Sequence, residues 1–156
     1  MRVFAIDPGP EKSAYVIWDG ARITEKEIIP NRIVLGEIAN FRYRSGKDIL
    51  AIEKVCSYGM TVGDSVFETV YWSGRFAQIW NKDGFLRRVP RMDVKMHICH
   101  NSRAKDSNII QALKDRFEPG LLPRQRPKGL LKGLKADLWQ AFALAVYWMD
   151  TEKGGV

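Results

Sequence analysis

Three carboxylates in this 156-residue chain stand where a core would favour apolar side chains. Asp7 closes the run Val3-Phe4-Ala5-Ile6, Glu53 interrupts Ile49 to Val55, and Asp137 heads the apolar stretch after it. A buried carboxylate is costly unless something pairs it. Taken singly, each has a plain structural explanation. Asp7-Pro8-Gly9 is good turn chemistry, an acid on a strand can face solvent, and an aspartate suits the start of a helix. Taken together they point elsewhere, because like charges side by side repel unless divalent cations sit between them. Oxygen-only ligands favour magnesium or manganese over zinc. Two such ions suit phosphodiester hydrolysis, one activating water and the other stabilising the leaving oxygen.

The elements needed to bring these acids together can be read from pattern. Val3 to Ile6 is an apolar strand stopped by Asp-Pro-Gly, Ala14 to Trp18 is a second strand, and Asp19-Gly20 is a hairpin signal. Arg22 to Ile29 then alternates as a third antiparallel strand, completing a meander. Asn31 to Phe41 has helical spacing, with Asn31 placed as its cap, and Arg42 to Lys47 is a polar loop. Ile49 to Val55 reads as a buried central strand, which as a neighbour of the first would set Glu53 beside Asp7. A long helix is expected from Val62 to Trp80, capped by Thr61 or Asp64 and ended by Asp83-Gly84. Phe85 to Val89 is a fifth strand, Pro90 starts a helical segment through Ile98, and Asp106 or Ser107 opens another helix to Phe117. Residues 118–133 hold three prolines and three glycines among Arg124, Arg126, Lys128 and Lys132, a composition expected of a mobile basic loop. The Ala-rich stretch from Ala136 to Asp150 is a buried helix that could carry Asp137 to the other acids.

Lys and Arg number 25 against 18 Asp and Glu, a formal net charge of +7 that favours a polyanionic partner. With 46% hydrophobic residues the chain can fill one core, and a single domain over residues 1–156 is expected. No apolar run approaches a membrane span, and MRVFAIDPGP turns acidic and helix-breaking too early for a signal peptide, so a soluble intracellular protein is expected. Cys56 and Cys99 provide no disulfide framework. His97, Cys99 and His100 crowd into four residues without the second cluster that a zinc tetrahedron needs.

Five segments in order, spanning nearly the whole chain, resemble the RuvC-type Holliday junction resolvases, in particular their phage or prophage branch. AIDPGPEKSAYVIW resembles the first hairpin of that family with its aspartate, and AIEKV its fourth-strand glutamate. SYGMTVGDSVFETVYWSGRF resembles the long helix that follows, VPRMDVKMHI the segment after strand five, and LKADLWQAFALAVYW the last helix with its aspartate. The resemblance implies an α/β, ribonuclease-H-like five-stranded mixed sheet flanked by helices. It also implies a homodimer in the cytoplasm of a bacterial cell, nicking four-way DNA junctions in pairs with Mg²⁺, for which Mn²⁺ can substitute. Asp7, Glu53 and Asp137 become its catalytic, metal-binding acids. Family members usually carry a second acid three positions along the last helix, where this chain has Gln140. An amide supplies no charge. Asp106 is the nearest acid that could compensate, with helix capping as its competing role. Lys105 or Lys135 beside the scissile phosphate would offset developing charge.

The pool of DNA contacts comprises Arg75, Arg87, Arg88, Arg91, Lys95, Arg103, Lys105, Arg124, Arg126, Lys128, Lys132 and Lys135, about half of them expected to be ordinary surface. Tyr58, Trp72 and Phe85 are candidates for stacking on exposed bases, with core or dimer packing as the alternative. Two other functions compete with junction resolution. One is a related nuclease acting on branched, flap or packaging DNA or on an RNA–DNA hybrid. The other is a DNA-binding protein whose nuclease centre has decayed, for which Gln140 is the only hint.

Overall fold

A computed structural model describes residues 1–43, 46–82 and 85–153. Five strands form one sheet: β1 (Val3–Asp7), β2 (Lys12–Trp18), β3 (Ile23–Pro30), β4 (Ile49–Lys54) and β5 (Leu86–Pro90), in the order β3-β2-β1-β4-β5. β3, β2 and β1 run antiparallel as the expected meander, whereas β4 joins β1, and β5 joins β4, in parallel. Helices α1 (Asn31–Tyr43) and α2 (Asp64–Trp80) make the parallel crossovers, and α3 (Arg91–Cys99), α4 (Asp106–Phe117) and α5 (Leu138–Lys153) follow β5. The turn expected at Asp83-Gly84 lies outside the described residues.

Strand alternation divides the apolar residues into two cores. Val3, Ala5, Ala14, Val16 and Ala51 face α5 and α4, meeting Ala141, Phe142, Ala145, Ile109 and Leu113. Phe4, Ile6, Tyr15, Leu50 and Ile52 face the other way onto Val34, Ile38 and Phe41 of α1 and Phe76 and Trp80 of α2. Covered on both faces, β1 and β4 must be apolar almost throughout. Their polar residues are displaced to the strand ends, and there Asp7 and Glu53 sit. Alanines on both α5 and the strands beneath it let the helix approach the sheet closely.

Several local expectations need correction. Asn31 does not cap α1: its buried side chain reaches back to the β1–β2 turn. The N-cap of α2 is Gly63 in extended backbone, without a side-chain cap from Thr61 or Asp64. Pro90 is the last residue of β5, and α3 begins one residue later. The N-cap of α4 is Lys105, whose backbone N–H donates to Asn108 Oδ1 at 2.9 Å, so Asp106 is not needed as a cap.

Residues 118–133 have no regular element, but they are tethered. Glu118 accepts backbone N–H bonds from Lys128, Gly129 and Leu131, and Lys114 Nζ donates to the carbonyls of Pro123 and Gln125. Leu131 is fully buried in the α5 core, which contributes about 2 kcal/mol of apolar burial. A composition that resembles a free loop therefore makes an anchored one. No helix among the described residues is long and apolar enough to cross a membrane.

Candidate metal centre and nucleic-acid interface

The carboxyl ends of the three parallel strands converge on one cleft. Ile6 pairs with Ile52 in the β1–β4 register, which puts the next residues, Asp7 and Glu53, at the same level. Glu53 pairs with Val89 and Lys54 with Pro90, so Arg91 enters α3 immediately beside them. The turn after Asp7 is built to hold its position. A side chain at Gly9 would collide with the Lys12 carbonyl, the Gly9 N–H donates to Ser13 Oγ at 3.1 Å, and Ser13 donates to Asn31 Oδ1 at 2.6 Å. Asn31 Nδ2 then donates to the Gly9 carbonyl at 2.9 Å, closing the strap. A local sequence pattern could not reveal Ser13 and Asn31, because the bond between them spans 18 positions.

Asp7 and Glu53 have side chains only 13% and 15% exposed. Burial first and then the charge of Glu53 push the Asp7 carboxyl from its ordinary 3.8 to about 8. Burial likewise raises Glu53, against the pull of Arg91. Arg91 is the cation that spans the pair: Nη2 lies 4.0 Å from Asp7 Oδ2 and Nε 3.5 Å from Glu53 Oε1. Burial opposes the charge on its guanidinium, and Glu53, Asp7, Asp106 and Asp137 together outweigh that and hold its pKa up.

Asp137 occupies the residue before α5, with its carbonyl accepting from the N–H of Ala141, and its side chain is exposed. The left-handed turn at Ala136 sets the direction in which the chain enters the helix. Asp106, at the first position of α4, is also exposed. Both acids act electrostatically on Asp7, Glu53 and Arg91; Asp137 weighs more on Asp7, and Asp106 more on Glu53. Gln140, the third residue of α5, is buried at 4% exposure.

The donor set suits a hard divalent cation. All four acids offer oxygen, and the two buried ones repel each other strongly enough that a cation is needed to keep both ionised. As placed, no three acid, histidine or cysteine side chains among the described residues are grouped tightly enough to enclose an ion, and Arg91 stands against both buried acids. Asp7, Glu53 and Asp137, with Asp106 beside them, are the residues that would hold the ion.

The expected DNA contacts fall into separate groups. Arg91 belongs to the acidic cleft, and Lys95, one turn further along α3, acts on Glu53. Exposed Arg103 and Lys105 precede α4, and Lys135 precedes α5, so these three flank Asp106 and Asp137 in sequence. Arg124, Arg126 and Lys128 lie exposed on the anchored loop. Lys132 instead lines a hollow with Arg22 and Lys26 beside the β2–β3 hairpin, away from the acids. Arg75 stacks over the Trp72 ring at 4.6 Å, Arg87 pairs with Glu152 at 3.8 Å, and Arg88 is exposed on β5. Trp72 packs against the α1–α2 core, whereas Tyr58 and Phe85 are exposed. His97 is engaged by Asp150 at 2.7 Å, which also accepts two bonds from Arg116.

The arrangement of strands and helices matches solved structures. The structure of Thermus thermophilus RuvC superposes with a TM-score of 0.67 at 18% identity, covering 99% of this chain and 97% of that one. T. thermophilus RuvC in complex with a Holliday junction substrate superposes with a TM-score of 0.71 at 17% identity, covering 99% and 96%. The chain has a RuvC-like fold. No protein-family model matches the sequence, and no curated protein matches it. The RuvC-like fold is thus expressed through a sequence with few identities, and the five-stranded mixed sheet flanked by helices is the ribonuclease-H-like architecture expected above.

Proposed function

We propose that this chain is a Holliday junction resolvase: an Mg²⁺-dependent endodeoxyribonuclease that makes paired nicks in four-way DNA junctions. The observation that carries the reading is the pair Asp7 and Glu53, buried side by side at the ends of parallel strands and held by a single shared arginine. A fold gains nothing in stability from such a pair, whereas a site that cleaves phosphodiesters with two divalent ions needs carboxylates so placed. The RuvC-like fold adds support, since one solved RuvC with that fold is bound to a Holliday junction substrate.

In this reading Asp7, Glu53 and Asp137 hold the divalent ions, with Asp106 supplying the charge that Gln140 lacks. The ions would activate water and stabilise the leaving oxygen. The protein's own residues do the rest. The Ser13–Asn31 strap fixes the height of Asp7, the sheet fixes Glu53 beside it, and α5, packed on the sheet face that these acids share with Ala5 and Ala51, carries Asp137 towards them. Lys95, Arg103, Lys105 and Lys135 draw the phosphodiester backbone towards the acids, and Arg124, Arg126 and Lys128 extend the basic surface. Paired nicks need two sites on one substrate, hence a homodimer. Phe67, Val70 and Tyr71 support this, forming an exposed apolar face on α2 at helical spacing. Such an enzyme would act in the cytoplasm of a bacterial cell, encoded by the cell or by a phage or prophage.

Buried Gln140 favours one second reading, a junction-binding protein that has lost cleavage. Incubation with four-way junction, flap, duplex and RNA–DNA hybrid substrates in Mg²⁺ and Mn²⁺ separates the possibilities. Symmetric nicking of the junction is the expected result. Cleavage confined to flaps or hybrids points to a related nuclease, and junction binding without any cleavage points to the decayed site.

A further inference from the structure

The arginine–carboxylate contacts among the described residues differ in kind. Arg116 grips Asp150 through two bonds of 2.6 and 2.8 Å, and Arg2 grips Asp48 through two of 2.7 and 3.0 Å. These are forked, charge-assisted pairs at normal length. Arg91 is different: it stands 4.0 Å from Asp7 and 3.5 Å from Glu53, separations like those of the open pairs Arg22–Asp19 and Arg87–Glu152, yet here the two acids are largely buried and its own buried Nε makes no hydrogen bond. It is held by the field of the cleft rather than by fit to either carboxylate.

We propose that Arg91 is a resident counter-cation of the acidic cleft, which a divalent ion displaces from Asp7 and Glu53. The inference rests on the metal-dependent reading above and adds a role that a DNA-contacting arginine would not have. Both cations seek the same oxygens. A divalent ion offers twice the charge and direct inner-sphere contact, whereas the guanidinium offers one charge at 3.5 to 4.0 Å. While no metal is bound, Arg91 offsets repulsion between two carboxylates that burial prevents water from screening. Once metal binds, the same positive charge becomes a competitor. The two roles have opposite signs, so removing the charge should weaken the metal-free fold and strengthen metal binding.

The test is calorimetric titration of the full chain with Mn²⁺ alone, using wild type, Arg91→Gln, Asp7→Asn and Arg22→Gln, together with melting in EDTA and in Mn²⁺. Arg22, at the β2–β3 turn, controls for loss of one positive charge far from the cleft. Arg91→Gln is expected to bind Mn²⁺ about three- to tenfold more tightly, to melt lower in EDTA, and to gain more from Mn²⁺ than wild type. Arg22→Gln should stay within about twofold of wild type. Unchanged or weaker Mn²⁺ binding by Arg91→Gln overturns the proposal, as does an equal gain in Arg22→Gln. If wild type binds Mn²⁺ and Asp7→Asn does not, while Arg91→Gln matches wild type, the metal centre stands and the role of Arg91 falls. If neither wild type nor Arg91→Gln binds Mn²⁺, the metal reading itself falls. Should Arg91→Gln fail to fold, the side-chain Nε–H resonance of Arg91 in wild type carries the test. It should shift with Mg²⁺ at the midpoint of binding, and a resonance that stays still while Mg²⁺ binds overturns the proposal.

Discussion

Replacing Asp7 with Asn should make the metal-free protein more stable, by an amount that grows with pH. In the folded chain the Asp7 carboxyl is pushed up from 3.8 to about 8, by burial first and by Glu53 second. In the unfolded chain neither cause survives, and the group titrates near its ordinary value. Between those two values the folded state keeps a proton that the unfolded state has released. Stability therefore falls as pH rises through that window and levels off above it. At about 1.4 kcal/mol per unit, the penalty reaches roughly 4 kcal/mol at neutral pH and a ceiling of about 6 kcal/mol above pH 8. Asparagine also loses the 4.0 Å contact with Arg91, whose side chain is 36% exposed. So open a pair contributes about 1 kcal/mol or less. The net expectation is a gain of up to about 5 kcal/mol near pH 9 and close to none near pH 4. Urea unfolding of both proteins in EDTA across that range measures it directly. A variant no more stable than wild type at high pH, or one whose advantage is largest in acid, would refute the account of Asp7 as an electrostatically starved carboxylate. Saturating Mn²⁺ should reverse the ranking, because only wild type gains from binding.

Three further substitutions address neighbouring parts of the structure. Asp106→Asn should weaken Mn²⁺ binding and junction cleavage by about tenfold or more, corresponding to a loss near 1.4 kcal/mol, while junction binding in EDTA is retained; unchanged Mn²⁺ affinity removes Asp106 from the centre. Asn31→Ala should cost about 1–3 kcal/mol in urea unfolding, because Ser13 Oγ and the Gly9 carbonyl each lose a partner inside the fold. It should also slow cleavage by letting the Asp7 turn relax, and a silent substitution would show that the strap is dispensable. Glu118→Ala should speed tryptic cutting at Arg124 and Lys128 several-fold by releasing three backbone N–H groups; an unchanged digestion rate would mean that Lys114 and Leu131 suffice to hold the loop.

Much of this arrangement was legible in the sequence, for a reason visible in β1 and β4. Strands covered on both faces must be continuously apolar, so an acid at their ends is conspicuous, and Asp7 and Glu53 could be singled out by pattern alone. Features that depend on distant partners were not legible. Asn31 precedes a helix and has the right chemistry for a cap, and only the folded chain shows its amide turned back to Ser13 and Gly9. Glu118 looks like the end of a helix until residues ten to thirteen positions later donate to it. In a chain with 25 basic residues nothing distinguishes Arg91 from its neighbours until β5 delivers it to the acids.

The same reasoning explains why Gln140 is less damaging to the proposed centre than its sequence position suggests. By the resemblance, an acid at that point on α5 would join the site of Asp7, whose carboxyl burial and Glu53 already push up to about 8. Adding a further buried charge there would raise the repulsion that Arg91 and Lys95 must offset. Asp106 carries its charge at the exposed head of α4, where solvent lowers the cost of keeping it ionised, and still acts on Glu53 more strongly than Asp137 does. Moving one acid from the buried helix to the rim keeps four carboxyl groups around the cleft while easing its metal-free state. On that argument Gln140→Asp should lower stability in EDTA, and the loss should shrink when Mn²⁺ is added. A Gln140→Asp protein as stable as wild type in EDTA at neutral pH would show that the buried position tolerates the charge, and the exchange of Gln140 for Asp106 would then need another explanation.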